Sequence, residues 1–417
     1  MTSECFVYIT LPGQTAPVTA ARFELTEDRH GGAVGRLIYG RSYRARPDTV
    51  PIDPLQLKIV DHPHETPALG GMFGALRDAS PDHWGRRIIE RQLGNSRPGE
   101  IDYLLHSPDD RAGALGFGLN RTPPAPLRKF NRTLDLATLQ ALADAIVAEE
   151  PMPDDPDASQ IERLMLIGTS MGGARPKAVV EEAGDLWLAK FNRVDDRVNH
   201  ARIEHAMLTL GRACGLATAE SRIVQAGGRD VLLVKRFDRQ KIAGGYARAR
   251  MLSGLTLLRA EEDARDRWSY VLLAEELRRV CARPEQDAGE LFRRMVFNAL
   301  ISNIDDHPRN HAVIAPGDEW QLSPAYDLTP ASPVGIEHRD LAMACGDAGR
   351  FANAANLLSQ SPRFLLDRAQ AAAVVADMEG RVKDGWYQIA RREGVSEDHC
   401  RRIAGAFAYP GFRAPLP

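Results

Sequence analysis

Residues 303–310 read N-I-D-D-H-P-R-N, and residues 325–328 read A-Y-D-L. These two stretches decide the reading of the chain. A carboxylate at Asp305 can accept a hydroxyl proton, and Asn310, five residues on, offers an amide oxygen to a hard cation. In between, H-A-V-I-A (311–315) and W-Q-L-S-P (320–324) flank P-G-D-E, the pattern of a β-hairpin. Asn310 precedes the first strand and Asp327 follows the second, so both lie at the same open end. A carboxylate and an amide converging there make an oxygen-ligand Mg²⁺ site with room for phosphates. A polar helix end with capping aspartates would give the same I-D-D-H-x-x-N string, but would need neither the hairpin nor the second Asp. Upstream, Asp287 is expected to cap a helix through E-L-F-R-R-M-V-F-N-A-L-I-S, with Phe292, Val296 and Leu300 on one apolar face.

The Asp305–Asn310 spacing is also that of Asp and Asn in a kinase catalytic loop, H-R-D-x-x-x-x-N. A second constellation lies further upstream. K-A-V-V-E and L-W-L-A-K-F flank the turn at 182–185 as a hairpin, followed by a helix at 199–213 and a buried strand, D-V-L-L-V-K-R-F (230–237). Lys177 and Lys190 occupy this hairpin, and Glu204 follows Lys190 by fourteen residues on the helix. That spacing lets a helical Glu return to a strand Lys, as kinases do when aiming Lys at nucleotide phosphates. An exposed Lys and a solvated Glu would look the same from these residues alone.

G-T-S-M-G-G (168–173) precedes the hairpin and matches G-x-S-x-G, the hydrolase elbow with Ser170 as nucleophile. That elbow needs a helix after the serine, and Pro176 interrupts one. No Gly-Lys-Ser/Thr ends the loop and no G-x-G-x-x-G is present, so it is neither a Walker loop nor a dinucleotide fingerprint. A surface turn or a backbone cradle for phosphate remains.

The rest of the 417 residues bounds the function. Hydrophobic residues make up 44% and the net charge is −3, which excludes a chain that binds nucleic acid by bulk charge. No window approaches a membrane span, and M-T-S-E-C-F-V-Y-I-T carries no signal-peptide pattern. Five scattered cysteines, 5, 214, 281, 345 and 400, fit a reducing cytoplasm. Only seven of the 53 cationic residues are lysines, so Lys177, Lys190 and Lys235 stand out. Residues 1–120 hold strand-like runs (C-F-V-Y-I-T-L, G-R-L-I-Y-G, L-Q-L-K-I-V) and a helix at 81–93, a small α+β module. Residues 121–159 read as a connector: a proline-rich stretch, a helix capped by Asp135, and the acidic E-E-P-M-P-D-D-P-D-A-S. A mixed lobe (160–250) and a mainly helical lobe (251–417) follow.

At these residues the chain resembles the HipA family of toxin Ser/Thr kinases, over most of its length. S-M-G-G-A-R-P-K (170–177) is similar to the family's phosphate loop, and V-K-R-F-D-R (234–239) to its hinge strand. D-D-H-P-R-N and A-Y-D-L resemble its catalytic and metal motifs, M-L-S-G-L-T-L-L (251–258) and D-L-A-M-A-C-G (340–346) segments of its helical lobe, and S-P-D-H-W-G-R-R and R-A-G-A-L-G-F its N-terminal subdomain.

The resemblance implies an α+β, protein kinase-like bilobal fold with a small N-terminal subdomain. It implies a cytoplasmic protein kinase using ATP and Mg²⁺, with Asp305 as catalytic base and Asn310 and Asp327 as metal ligands. Met171, Gly172, Gly173, Ala174, Arg175 and Lys177 would surround the phosphates with Lys190, supported by Glu204. Lys235, Arg236 and Phe237 would hold adenine through backbone groups, and His307 and Tyr326 would complete the site. Ser170 would be an autophosphorylation site. The implied partners are a small HipB-like helix-turn-helix antitoxin and a protein substrate, an aminoacyl-tRNA synthetase, with growth arrest as the outcome. Residues 363–371 offer no matching basic set, so DNA contact is assigned mainly to the antitoxin. Three other classes compete: a small-molecule phosphotransferase, a serine hydrolase using Ser170, and a catalytically idle co-repressor.

Overall fold

The computed structural model describes residues 3–94, 98–126, 130–132, 135–148, 175–331 and 337–416. The architecture is α+β. β1 (Glu4–Thr10), β2 (Pro17–Glu27), β3 (Ala33–Tyr39), β4 (His64–Thr66) and β5 (Leu115–Gly118) form an antiparallel sheet in the order β4-β3-β2-β1-β5. Cys5, Phe23 and Leu37 are cross-strand neighbours on its buried face, as alternation of side chains across a pleat requires. The run L-Q-L-K-I-V, expected as a strand, is not one. Asp53 accepts the N–H groups of Leu55 at 2.7 Å and Gln56 at 3.1 Å, a side-chain turn that competes with ladder pairing.

A second sheet, in the order β6-β7-β8-β10-β9, contains β6 (Asn131–Arg132), β7 (Lys177–Glu182), β8 (Asp185–Phe191), β9 (Ser221–Ala226) and β10 (Arg229–Lys235). β7 and β8 join through Ala183 and Gly184, with φ of 52° and 85°. Two consecutive positive φ values are what a two-residue hairpin turn demands. The helix His200–Ala213, capped by Asn199 on the Arg202 N–H at 3.1 Å, packs against β9 and β10.

The helix His83–Gln92 lies between β4 and β5 of the first sheet in sequence but shares a core with the second. Trp84, Ile88 and Ile89 pack with Ala178, Val180, Trp187 and Leu233. The helix Leu136–Val147 closes the same core through Leu139, Ala143 and Ile146. Asp135 stands at its N-cap position without a capping bond to the helix; its carboxylate instead accepts the Arg132 N–H at 2.8 Å.

β11 (Arg239–Ile242) and β12 (Gly245–Arg248) form a hairpin, and β13 (Arg250–Ser253), β14 (Ala312–Ala315) and β15 (Gln321–Leu322) a three-stranded sheet. Residues 251–253, expected to open the helical lobe, are therefore strand, with Met251 paired to Ile314. Beyond them helices dominate, chiefly Tyr270–Val280, Pro284–Leu300 and Arg368–Arg392. Pro284 starts its helix one turn earlier than expected, so Arg283 rather than Asp287 is the N-cap. Asp287 lies inside the helix and accepts the Leu322 N–H at 3.0 Å, tying it to β15. Phe292, Val296 and Leu300 are fully buried, in a core continuous with that of the first sheet. Among the described residues no helix is long and apolar enough to cross a membrane.

Candidate active site

The helix Pro284–Leu300 ends in buried polar residues that shape the loop after it. Asn298 and Asp306 are almost wholly inaccessible, and Asp306 accepts hydrogen bonds from Tyr270 Oη, from Asn298 Nδ2 at 2.8 Å and from His311 Nε2 at 2.8 Å. A buried carboxylate with three donors is an anchor rather than a reactive group. Its neighbour Asp305 faces outward and is exposed. The consecutive aspartates thus divide the work, one holding the loop and one presenting a carboxylate. Asn303 Nδ2 reaches Asn298 Oδ1 at 3.1 Å and the Asp327 carbonyl at 3.2 Å, linking the loop to the A-Y-D-L segment. Asp327 has φ of 55°, a left-handed conformation uncommon for a residue with a side chain. Gly254 backs the loop: a Cβ there would lie 2.7 Å from the Pro308 carbonyl oxygen.

From the opposite side, β8 delivers Lys190. Its ammonium donates to Glu204 Oε1 at 2.6 Å and to Asp327 Oδ1. Burial opposes the charge on Lys190, but Asp327 and then Glu204 outweigh it and keep the ammonium protonated well above its ordinary range. The two acids respond differently. Burial raises the Glu204 carboxyl despite Lys190, whereas at Asp327 the lysine overcomes burial and lowers it.

A cavity of about 250 Å³ brings Lys177, Lys190, Glu204, Asp305, Asn310 and Asp327 together, and Arg175 and His307 also line it. Asn310 Nδ2 donates to the Asp305 carbonyl at 3.3 Å, which turns its amide oxygen the other way. A smaller apolar pocket of about 80 Å³ is lined by Leu188, Val234, Phe237, Met251 and Tyr326 and adjoins Lys190 and Asp327. Phe237 and Tyr326 stack with centroids 5.7 Å apart, and Tyr326 Oη donates to the Arg309 carbonyl at 2.9 Å.

Several expected site residues are disposed differently from the reading above. The Arg236 guanidinium is buried and bonded to both oxygens of Asp110 at 2.6 Å and to Asp238 at 2.9–3.0 Å, so it faces away from any ligand. The N–H of Lys235 donates to the Glu220 carbonyl and that of Arg236 to the Leu186 carbonyl, both at 2.8 Å. Those two donors are committed to the protein, which shifts any adenine contact toward Phe237. The Lys235 ammonium pairs with Asp185 at 2.7 Å. Arg175 is engaged by Asp196. Lys177 is the first residue of β7, where the hairpin reading put it, but its side chain is buried and bonds Asp82 Oδ2 at 2.6 Å. Ser170, Met171, Gly172, Gly173 and Ala174 lie outside the described residues, as does the acidic stretch 149–159.

The site suits a magnesium ion held partly by substrate. Mg²⁺ favours one or two carboxylates plus phosphate and water over an all-protein cage. Asp327 and Asn310 supply a carboxylate and an amide oxygen in one cavity. Among the described residues no group of three or more His, Cys, Asp or Glu could hold a metal.

The family description HipA-like C-terminal domain matches residues 169–386, just over half of the chain. A relative from Sinorhizobium fredii (strain NBRC 101917 / NGR234), named "Putative kinase Y4mE", is 25% identical over 402 residues, covering 91% of this chain and 85% of that protein. The HipA structure from Shewanella oneidensis MR-1, solved in complex with HipB and operator DNA, matches with a TM-score of 0.69 at 18% identity, covering 95% of each chain. That likeness concerns the fold, which is protein kinase-like: the second sheet with its Glu-bearing helix makes one lobe, the helices around the Asp305 loop the other.

Proposed function

The chain belongs to the HipA-like C-terminal domain family, and from that premise we propose that it is a toxin-type protein kinase. It transfers the γ-phosphoryl group of ATP to a serine or threonine hydroxyl. One observation carries this reading: Lys190 sits between Glu204 and Asp327, across a cavity from Asp305 and Asn310. The order strand Lys, helical Glu, loop Asp, amide and second Asp supplies the parts that phosphoryl transfer uses for positioning and charge. The Y4mE name supports the kinase reading, and the HipA structure supports the toxin-antitoxin reading.

In this proposal the adenine ring enters the apolar pocket against Phe237 and Tyr326, placing the phosphates toward Lys190. Asp327 and Asn310 hold Mg²⁺, which when bound neutralises phosphate oxygens and orients the transferring group. Lys190, steered by Glu204, then donates to the phosphates. Asp305, outside the buried network, accepts or orients the proton of the incoming hydroxyl. Asp306 keeps Asp305 in place by fixing the loop beneath it.

The family resemblance extends the proposal to partners. A small HipB-like helix-turn-helix antitoxin would neutralise the kinase and carry most of the DNA contact, in keeping with a net charge of −3. The substrate would be an aminoacyl-tRNA synthetase, with growth arrest the consequence, and phosphorylation of Ser170 would silence the enzyme by adding roughly −1.5 to −2 charges beside the nucleotide phosphates. Calorimetric titration with Mg·ATP tests the site. Binding by the natural chain and its loss in Lys190→Ala is expected; equal binding by both would remove the assignment.

A further inference from the structure

The N-terminal part of the chain meets the phosphate end of the cleft at a buried ion pair. Asp82 caps the helix His83–Gln92 with Oδ1 on the Gly85 N–H at 2.9 Å, while Oδ2 accepts from Lys177 Nζ at 2.6 Å. The two side chains are 7% and 3% exposed. We propose that Asp82 is a positioning residue for phosphoryl transfer, holding the Lys177 ammonium at the phosphate end of the cavity, so that the N-terminal module is part of the nucleotide site. This rests on the ATP reading given above.

Three observations carry it. Lys177 and Lys190 are Cα partners across β7 and β8, so their side chains emerge side by side on one face of the hairpin. Like charges so placed repel, and a carboxylate beside each relieves this: Glu204 and Asp327 at Lys190, Asp82 at Lys177. Next, the position of Asp82 is set twice over. Its capping bond ties it to the helix, and Trp84, Ile88 and Ile89 lock that helix into the core beneath β7 and β8. A carboxylate so restrained gives a flexible lysine one direction. Finally, Lys177 lines the same cavity as Asp305, Asn310 and Asp327. The bond to Asp82 engages one of the three N–H donors of the ammonium and so sets the direction of the group. A second link runs parallel: Asp78, just before this helix, accepts from Ser253 N at 2.7 Å and Oγ at 2.6 Å and pairs with Arg309 of the catalytic loop at 3.6 Å.

Asp82→Asn separates the roles, because Asn caps a helix as well as Asp does but carries no charge. ATP and adenosine affinities would be measured calorimetrically on the full chain for the natural protein, Asp82→Asn, Lys177→Met and the double variant. Asp82→Asn is expected to weaken ATP ~10-fold, the scale of one charge-assisted hydrogen bond, and to leave adenosine unchanged. The double variant should bind ATP no worse than Lys177→Met alone. Asp82→Glu, which keeps the anion and should fold even if the amide variant does not, is expected to retain most ATP affinity. The inference is overturned if Asp82→Asn binds ATP normally, if it weakens ATP and adenosine alike, if its effect adds to that of Lys177→Met, or if Asp82→Glu binds ATP as poorly as Lys177→Met. A natural chain that binds neither nucleotide would overturn the ATP reading itself, a distinct outcome.

Discussion

Lys177 and Lys190 face one another across β7 and β8, and carboxylates from three distant stretches, Asp82, Glu204 and Asp327, converge on the two ammonium groups. Around Lys190 two acids share one cation, which leaves the cluster an excess of negative charge. A divalent ion beside Asp327 would relieve that excess and release Lys190 toward phosphate. On the proposed function, the arrangement would take Mg²⁺ and nucleotide together rather than either alone.

Glu204 should therefore matter to rate. With its partner removed, Lys190 keeps Asp327 as its remaining carboxylate and is drawn toward the metal position. Glu204→Ala is expected to lower phosphoryl-transfer rate ~10–100-fold, the equivalent of losing about 1.5–3 kcal/mol of charged hydrogen bonding. Steady-state kinetics check this, and an unchanged rate would mean that Lys190 needs no steering.

Metal and nucleotide should stabilise the fold jointly. At ~100 times its Kd, Mg·ATP is expected to add about 2.7 kcal/mol to unfolding free energy. ATP with EDTA should give much less, and in Asp327→Asn the difference between the two conditions should vanish. Thermal melts under each condition decide it; equal stabilisation with and without Mg²⁺ would argue against a metal at Asp327.

The adjacent aspartates 305 and 306 should behave oppositely. Asp306→Ala strands Tyr270, Asn298 and His311 in the interior and is expected to cost about 3–5 kcal/mol of stability, as removal of a buried charged partner does. Asp305→Asn changes an exposed side chain, so stability should stay within ~0.5 kcal/mol while transfer is lost. Denaturant melts and activity on both variants test the division; equal destabilisation would refute it.

Asp238 gives the pH dependence. Burial alone would raise its carboxyl, but Arg236 and then Arg239 outweigh burial and hold it far below the usual range. A group depressed in the folded state stabilises above its unfolded value, ~3.9, and loses that contribution as pH falls below it. Asp238→Asn is expected to cost about 3–5 kcal/mol at neutral pH, and its deficit against the natural chain should shrink as pH drops below ~4. Urea melts across that range check the sign. A deficit constant with pH would contradict it.

Which parts of this were legible in the sequence follows from distance along the chain. Asp305 and Asn310 lie in one loop, and Lys190 and Glu204 are separated by a single strand-to-helix step, so spacing alone brought them together. Asp82 and Lys177 are 95 residues apart, joined by the packing of a helix whose partner sheet no local pattern reveals. The spacing to Asn310 picked out Asp305, but the anchoring role of Asp306 was not legible, because it depends on the burial that brings Tyr270, Asn298 and His311 to its carboxylate. Arg236 sits beside the apolar pocket, yet its guanidinium points into the Asp110–Asp238 network. The L-Q-L-K-I-V run shows the reverse failure, where Asp53 two residues upstream redirects the backbone and strand-like composition loses.

The central claim is most directly tested by incubating the full chain with γ-labelled ATP and following label onto protein serine or threonine, with Mg²⁺ or with EDTA, for the natural protein, Asp305→Asn and Asp327→Asn. Transfer by the natural chain in Mg²⁺, none in EDTA and none by either variant is the predicted result. Label transferred equally by all three proteins, or undiminished in EDTA, would contradict it.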